Sequence, residues 1–283
     1  STQLTDLDVK LIDRTALSDT VFFHYLERIS AGRVDAAAPV PTRVADDLTR
    51  LVSGPHQTVL ATSEIMFSRL PLSDFYQHTA EALRMMGRLL PDYRIQVILY
   101  VRQQTAFVES CYTQLVQTGR EITFEDYIGG DIPRHLDWAR VCDDIAGAVG
   151  AENVTVRPFE VIRDMGSEGF LRDFLSIIGL SEDQMTSFSF DDALAEGATA
   201  NRGFSQVAVD MARFTMPMLN PNQRKRLRKF LQDHFSTRDF PRPAYFTPDQ
   251  AIAVAREYSE SNARLFEAHM PDFDAARLGY LTA

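Results

Sequence analysis

This 283-residue chain has little lysine or cysteine and no long apolar run. Two cysteines, Cys111 and Cys142, are too few for a disulfide framework and lack the paired spacing of a zinc site, so they suit a reducing cytoplasm. No His/Glu spacing suggests a metal centre either. Apolar runs such as 95–101 are too short to span a bilayer. Residues 1–13 show no basic stretch followed by an apolar one. The expectation is a soluble, cytoplasmic protein without a transmembrane segment. Of 29 basic residues only Lys10, Lys225 and Lys229 are lysines, and phosphate-cradling loops usually carry one. A formal charge of −10 leaves no broad positive surface, which excludes a general nucleic-acid binder.

What is present suits a sizeable core. The chain is 45% hydrophobic and 24% charged, enough for one α/β domain, read as an α/β core over 1–200 and a mainly helical part over 201–283. Extended stretches are expected at 9–14 and 57–62 (QTVLAT), the second ending in the polar pair Ser63-Glu64. The most apolar segment, 95–101 (IQVILYV), predicts a central strand buried on both faces. A helix over 105–118 follows at once, with Phe107, Cys111 and Leu115 recurring every fourth position. Further helices are expected at 19–29, 43–51, 74–90 with Asp74 as its cap, 133–149 and 166–178, with a strand at 153–157 (NVTVR). The stretch 181–199 reads as a loop, and 204–234 and 247–270 as mainly helical, hinged at 240–245 (FPRPAY). The alternation predicts a doubly wound, mostly parallel sheet flanked by helices, with ligands at the carboxyl ends of its strands.

That edge holds the most informative pair. Arg102 ends the apolar strand, and Ser110 follows eight positions later on the next helix, where both can reach one anion. On their own these residues better describe an arginine paired with a carboxylate and a serine facing solvent. Glu64, after the strand at 57–62, is the candidate general base, with a helix-start charge or an ion-pair partner as its other role. His24 and His135 are weaker candidates for the base. Asn201, Arg202 and Gly203 form a late loop able to fold over a nucleotide, or a plain helix-leading loop. The basic run 224–229 could attract an acidic acceptor, or be the solvated face of a helix. Trp138, the sole tryptophan, reads as core.

Tyr100-Val101-Arg102 followed by Ser110 is similar to the sulfotransferase motif in which a strand-end arginine and a helix serine hold a 3'-phosphate. The segment 89–119 (LLPDYRIQVILYVRQQTAFVESCYTQLVQTG) resembles the core of bacterial sulfotransferases more widely. So do ATSEIMF at 61–67, NVTVRPFE at 153–160, and the helix with Ser261-Asn262 before Leu265. The resemblance implies a P-loop-NTPase-like fold. It also implies sulfuryl transfer from 3'-phosphoadenosine 5'-phosphosulfate, without a metal, to a hydroxyl of a carbohydrate or small molecule. Arg102 and Ser110, with Asn201, Arg202 and Gly203, would hold the donor, and Glu64 would take the acceptor proton. The family's lysine-containing phosphosulfate loop has no counterpart here, and Ser1-Thr2-Gln3 is read as the tail of one. A non-catalytic binding protein on the same scaffold is therefore the alternative. A P-loop kinase ranks third, lacking both a lysine loop and magnesium-binding carboxylates.

Overall fold

The computed structural model describes residues 4, 8–63, 66–68, 75–131, 136–186, 188–190 and 203–281. Its strands form two parallel pairs. β1 (Val9–Ile12) runs beside β2 (Thr58–Ala61), and β3 (Val97–Val101) beside β4 (Val154–Pro158). Each pair is linked by helical crossovers, as parallel strands require. The chain is thus α/β, but among the described residues the strands make two two-stranded sheets, with no hydrogen-bonded ladder joining them.

Three helices lie between β1 and β2: α1 (Arg14–Ser18), α2 (Val21–Ser30) and α3 (Thr42–Val52). Asp13 and Thr20 start the first two by accepting the amides of Ala16 and Phe23. Phe22, Leu26 and Ile29 of α2 pack on Val44 and Leu48 of α3 and on Ala82 and Met85 of α4 (Thr79–Leu89). The helix expected at 74–90 therefore starts five residues late. Asp74 lies outside the described residues, and the cap position is His78, which makes no side-chain capping bond.

β3 leads into α5 (Gln104–Gln117), whose Val108, Cys111, Tyr112, Leu115 and Val116 are buried. Between α5 and β4 runs α6 (Trp138–Val149). It starts later than the expected 133 because Asp137 caps it, accepting the amide of Arg140. After β4, α7 (Ile162–Ile177) places Phe170 and Phe174 against Tyr100 of β3 and Leu175 against Val9 of β1, so one helix touches both strand pairs. Gly166 breaks its regular geometry at φ 67, a conformation that glycine adopts without steric cost. The expected start at Gly166 mistook this kink for a helix end.

Beyond a short turn of helix at Glu182–Thr186, the loop expected at 181–199 lies mostly outside the described residues. The last part is helical as expected: α8 (Gln206–Thr215), α9 (Pro221–His234), α10 (Pro248–Glu257) and α11 (Ser259–His269). The largest core cluster joins α5, α6 and α8 to Leu265, Phe266 and Tyr280. β3 departs from expectation. Only Val101 is fully buried, and Val97 to Tyr100 are half-buried; β4 pairs with one edge of β3 and no described strand with the other.

The interior gives a pH prediction. Burial pushes Tyr100 and Cys142 up to about 12, with Asp173 and Asp143 adding to the respective shifts. It also raises Tyr112, Tyr258 and Tyr280. Unfolded, such groups lose their protons near pH 8.5 for cysteine and about 10 for tyrosine. Above those values the folded state holds more protons than the unfolded one, so stability is full at lower pH and falls as pH rises. The urea midpoint should hold near pH 8, start falling by about pH 9 and drop steeply past about pH 10. A flat profile to pH 11 would mean that these side chains ionise in the folded protein.

Candidate functional site

The carboxyl ends of β3 and β4 lie level, with Val101 opposite Pro158, so Arg102 and Gln103 leave the sheet beside Phe159 and Glu160. Arg102 is half-buried, and its guanidinium stands over the Phe159 ring, 5.5 Å from the centroid. Its backbone is fixed as well: the indole N–H of Trp138 donates to the Arg102 carbonyl at 2.8 Å. Trp138 reaches it from the first residue of α6, packed among Phe75, Tyr76 and Phe107.

Glu160 is the buried carboxylate of this edge, 3% exposed. Its Oε1 accepts the Gln103 amide at 3.0 Å, and its Oε2 accepts the Tyr280 hydroxyl at 2.7 Å. Burial, and then the charge of Glu160 and the bond to it, hold Tyr280 well above the usual tyrosine range, so it stays a donor. Gln103 also caps α5. Its side-chain oxygen accepts the Ala106 amide at 2.9 Å and its carbonyl the Phe107 amide at 2.9 Å. The amides of Gln104 and Thr105 have no acceptor among the described residues.

Arg163, at the start of α7, and Arg242, in the proline-rich segment, lie close enough for their charges to act on Arg102. Burial lowers Arg102 most, the charge of Glu160 opposes this, and the two arginines push it further down. It remains a cation, since an arginine does not release its proton at any ordinary pH. None of the three guanidiniums makes an ion pair among the described residues. Three cations around one carboxylate, itself engaged by two donors, leave an excess of positive charge at a strand edge. That arrangement suits an anion with several acceptor oxygens.

A second polar chain holds the edge from below. Gln104 and Asn262 exchange amide hydrogen bonds at 2.8 and 3.2 Å, and Asn262 donates to the Tyr280 carbonyl at 2.8 Å. Gln104 also donates to the Leu136 carbonyl at 3.3 Å, while the Leu136 amide donates to the Tyr258 hydroxyl at 3.1 Å. Buried amides satisfied this fully lock the start of α5 to α11 and to residue 280.

Of the residues singled out in the sequence, Arg102 stands at the strand end as expected. Ser110 is half-buried on α5, about 9 Å along the axis from Gln104. Gly203 is held by the segment after α9, its carbonyl accepting the Thr237 amide at 3.0 Å. Glu64, Asn201, Arg202 and His135 lie outside the described residues. His24 is on α2, its ring nitrogen 3.2 Å from Glu27. Sequence reasoning missed Glu160, Arg163, Arg242 and Tyr280. Glu160 carried a usable signal, because NVTVRPFE ends a parallel strand just as ILYVR does, and the rule that ligands gather at strand carboxyl ends applies to both. Among the described residues no group of three or more His, Cys, Asp or Glu could hold a metal ion, and no helix is long and apolar enough to cross a membrane. Comparison of the chain with protein-family models, with curated proteins and with solved structures finds no match.

Proposed function

We propose that this chain binds the 3'-phosphate of 3'-phosphoadenosine 5'-phosphosulfate and serves sulfuryl transfer to an acceptor hydroxyl, on a P-loop-NTPase-like sulfotransferase fold. The observation that carries the reading is Arg102. It is half-buried at a strand end, close enough to Glu160 to feel its charge but in no ion pair within 4 Å among the described residues, and accompanied by two further arginines. Arg102 and Ser110 hold the 3'-phosphate, with Asn201, Arg202 and Gly203 as the further donor-binding residues. In the transfer step the acceptor oxygen bonds to sulfur, the bond from sulfur to the bridging oxygen breaks, and the nucleotide leaves. Glu64 takes the acceptor proton. The acceptor is a carbohydrate or a small molecule, and the reading routes no step through a metal.

The charge that builds on the leaving oxygen needs a cation. Lys10 is not placed for this: it lies in β1 and donates its Nζ to the Ser53 carbonyl at 2.8 Å, while Lys225 and Lys229 are on α9. Among the described residues the cations at this edge are Arg102, Arg163 and Arg242, and a nucleotide-binding scaffold that performs no transfer is the second reading.

Calorimetric titration tests the shared part. 3'-Phosphoadenosine 5'-phosphate should bind about tenfold or more tightly than adenosine 5'-monophosphate, and Arg102→Ala should erase that preference. Equal affinity of the two nucleotides for the unaltered protein would reject the site. Binding without release of labelled sulfate to any hydroxyl acceptor would select the scaffold.

A further inference from the structure

At the other end of the β3–β4 pair, a cleft of about 450 Å³ opens between α4, the 90–96 connection and the end of α6. Ile95 leads into β3 and Asn153 into β4, so this is the amino edge of the strands, away from Arg102. Arg84 and Arg88 reach the cleft from successive turns of α4, and Arg94 from the connection. No carboxylate lines it, and none of the three makes an ion pair among the described residues, in a chain whose net charge is −10.

Two of these arginines are already held. Arg94 Nε donates to Asn153 Oδ1 at 2.5 Å, and Arg88 Nη2 donates to the Ala36 carbonyl at 2.6 Å. Both keep further N–H donors, and their fixed positions reduce the ordering cost of binding. Tyr93, 46% exposed as a residue, lies beside them, and Leu83, Ile95 and Val149 supply an apolar wall. Gly87 adds room, since a Cβ built there meets nothing within 4 Å.

We infer that this cleft binds a small organic anion, a phosphate or sulfate group carried on a flat ring. The arginine forks match the tetrahedral anion, and Tyr93 with the apolar wall takes the ring, a surface that an inorganic ion would leave unused. Nothing in the assignment depends on the nucleotide reading of the Arg102 site.

The test uses Arg102→Ala protein, so that the first site is silent, titrated calorimetrically with 4-nitrophenyl sulfate, with adenosine 5'-monophosphate and with inorganic sulfate. At least one ring-bearing probe should saturate a single site and bind about tenfold or more tightly than sulfate, and the tighter of the two identifies the ring. Adding Gly87→Leu, which fills the cleft and replaces a helical glycine, should abolish binding while the thermal midpoint does not fall. Arg84→Glu, altering an exposed side chain, should weaken binding about tenfold or more. Failure of both probes to bind, sulfate binding as tightly as they do, or binding that survives Gly87→Leu and Arg84→Glu would each overturn the assignment.

Discussion

Replacing Trp138 by alanine should cost about 3–5 kcal/mol of folding stability, measured as a shift in the urea unfolding curve. The indole is 1% exposed and makes edge or tilted contacts with Phe75, Tyr76 and Phe107, so its removal leaves a cavity that three aromatic rings cannot collapse to fill. The loss extends beyond packing. Without the indole N–H the Arg102 carbonyl has no donor among the described residues, and the strand end is freed where the guanidinium must be held. Trp138→Phe separates the two effects: it keeps a ring and forfeits the hydrogen bond, at a smaller cost of about 1–3 kcal/mol for the orphaned carbonyl. A loss below about 1 kcal/mol for the alanine variant would show that the indole does not anchor this region.

Asn262→Ala should be as damaging, at about 3–5 kcal/mol, although it removes a much smaller side chain. Asn262 makes three hydrogen bonds from a 1% exposed position, so its truncation strands the Gln104 side-chain oxygen and the Tyr280 carbonyl away from water and leaves the Gln104 amide nitrogen only its 3.3 Å bond to the Leu136 carbonyl. The cost is that of leaving polar groups buried and unpaired, which exceeds the net gain of forming the bonds. The double variant Gln104→Ala/Asn262→Ala should therefore cost less than the sum of its parts, by about 1 kcal/mol or more in a double-mutant cycle. Strict additivity would mean that the two amides do not depend on one another.

How much of this was legible in the sequence depends on how local each signal was. The apolar strings QTVLAT, IQVILYV and NVTVR placed β2, β3 and β4, because a strand's neighbours select β-branched and apolar residues whatever the rest of the chain does. The span of α5 came within one residue, since Phe107, Cys111 and Leu115 mark a continuous stripe. Helix starts were harder. Asp137, not singled out in the sequence, is shown by the geometry to bond the Arg140 amide and so to start α6 after the expected residue 133. Burial of β3 on both faces was read from its composition, which says what a strand tolerates and not what lies beside it. Arg102 was found because a strand end and a helix start are adjacent in sequence. Tyr280 could not be found that way: it is 120 residues from Glu160, and nothing around it marks its hydroxyl as the donor to a buried carboxylate.

That distance bears on how the protein is made. Chains emerge from the ribosome amino end first, and each part can settle only against what has already appeared. β3, β4 and α5 are complete long before Asn262 and Tyr280 are synthesised, yet their carboxyl edge rests on both. Until residue 262 arrives Gln104 lacks its amide partner, and until residue 280 arrives Glu160 lacks its tyrosine. Ribosome-bound chains cut short of that point carry Arg102 but not the support beneath it. The arginine edge is thus among the last parts of the molecule to be assembled.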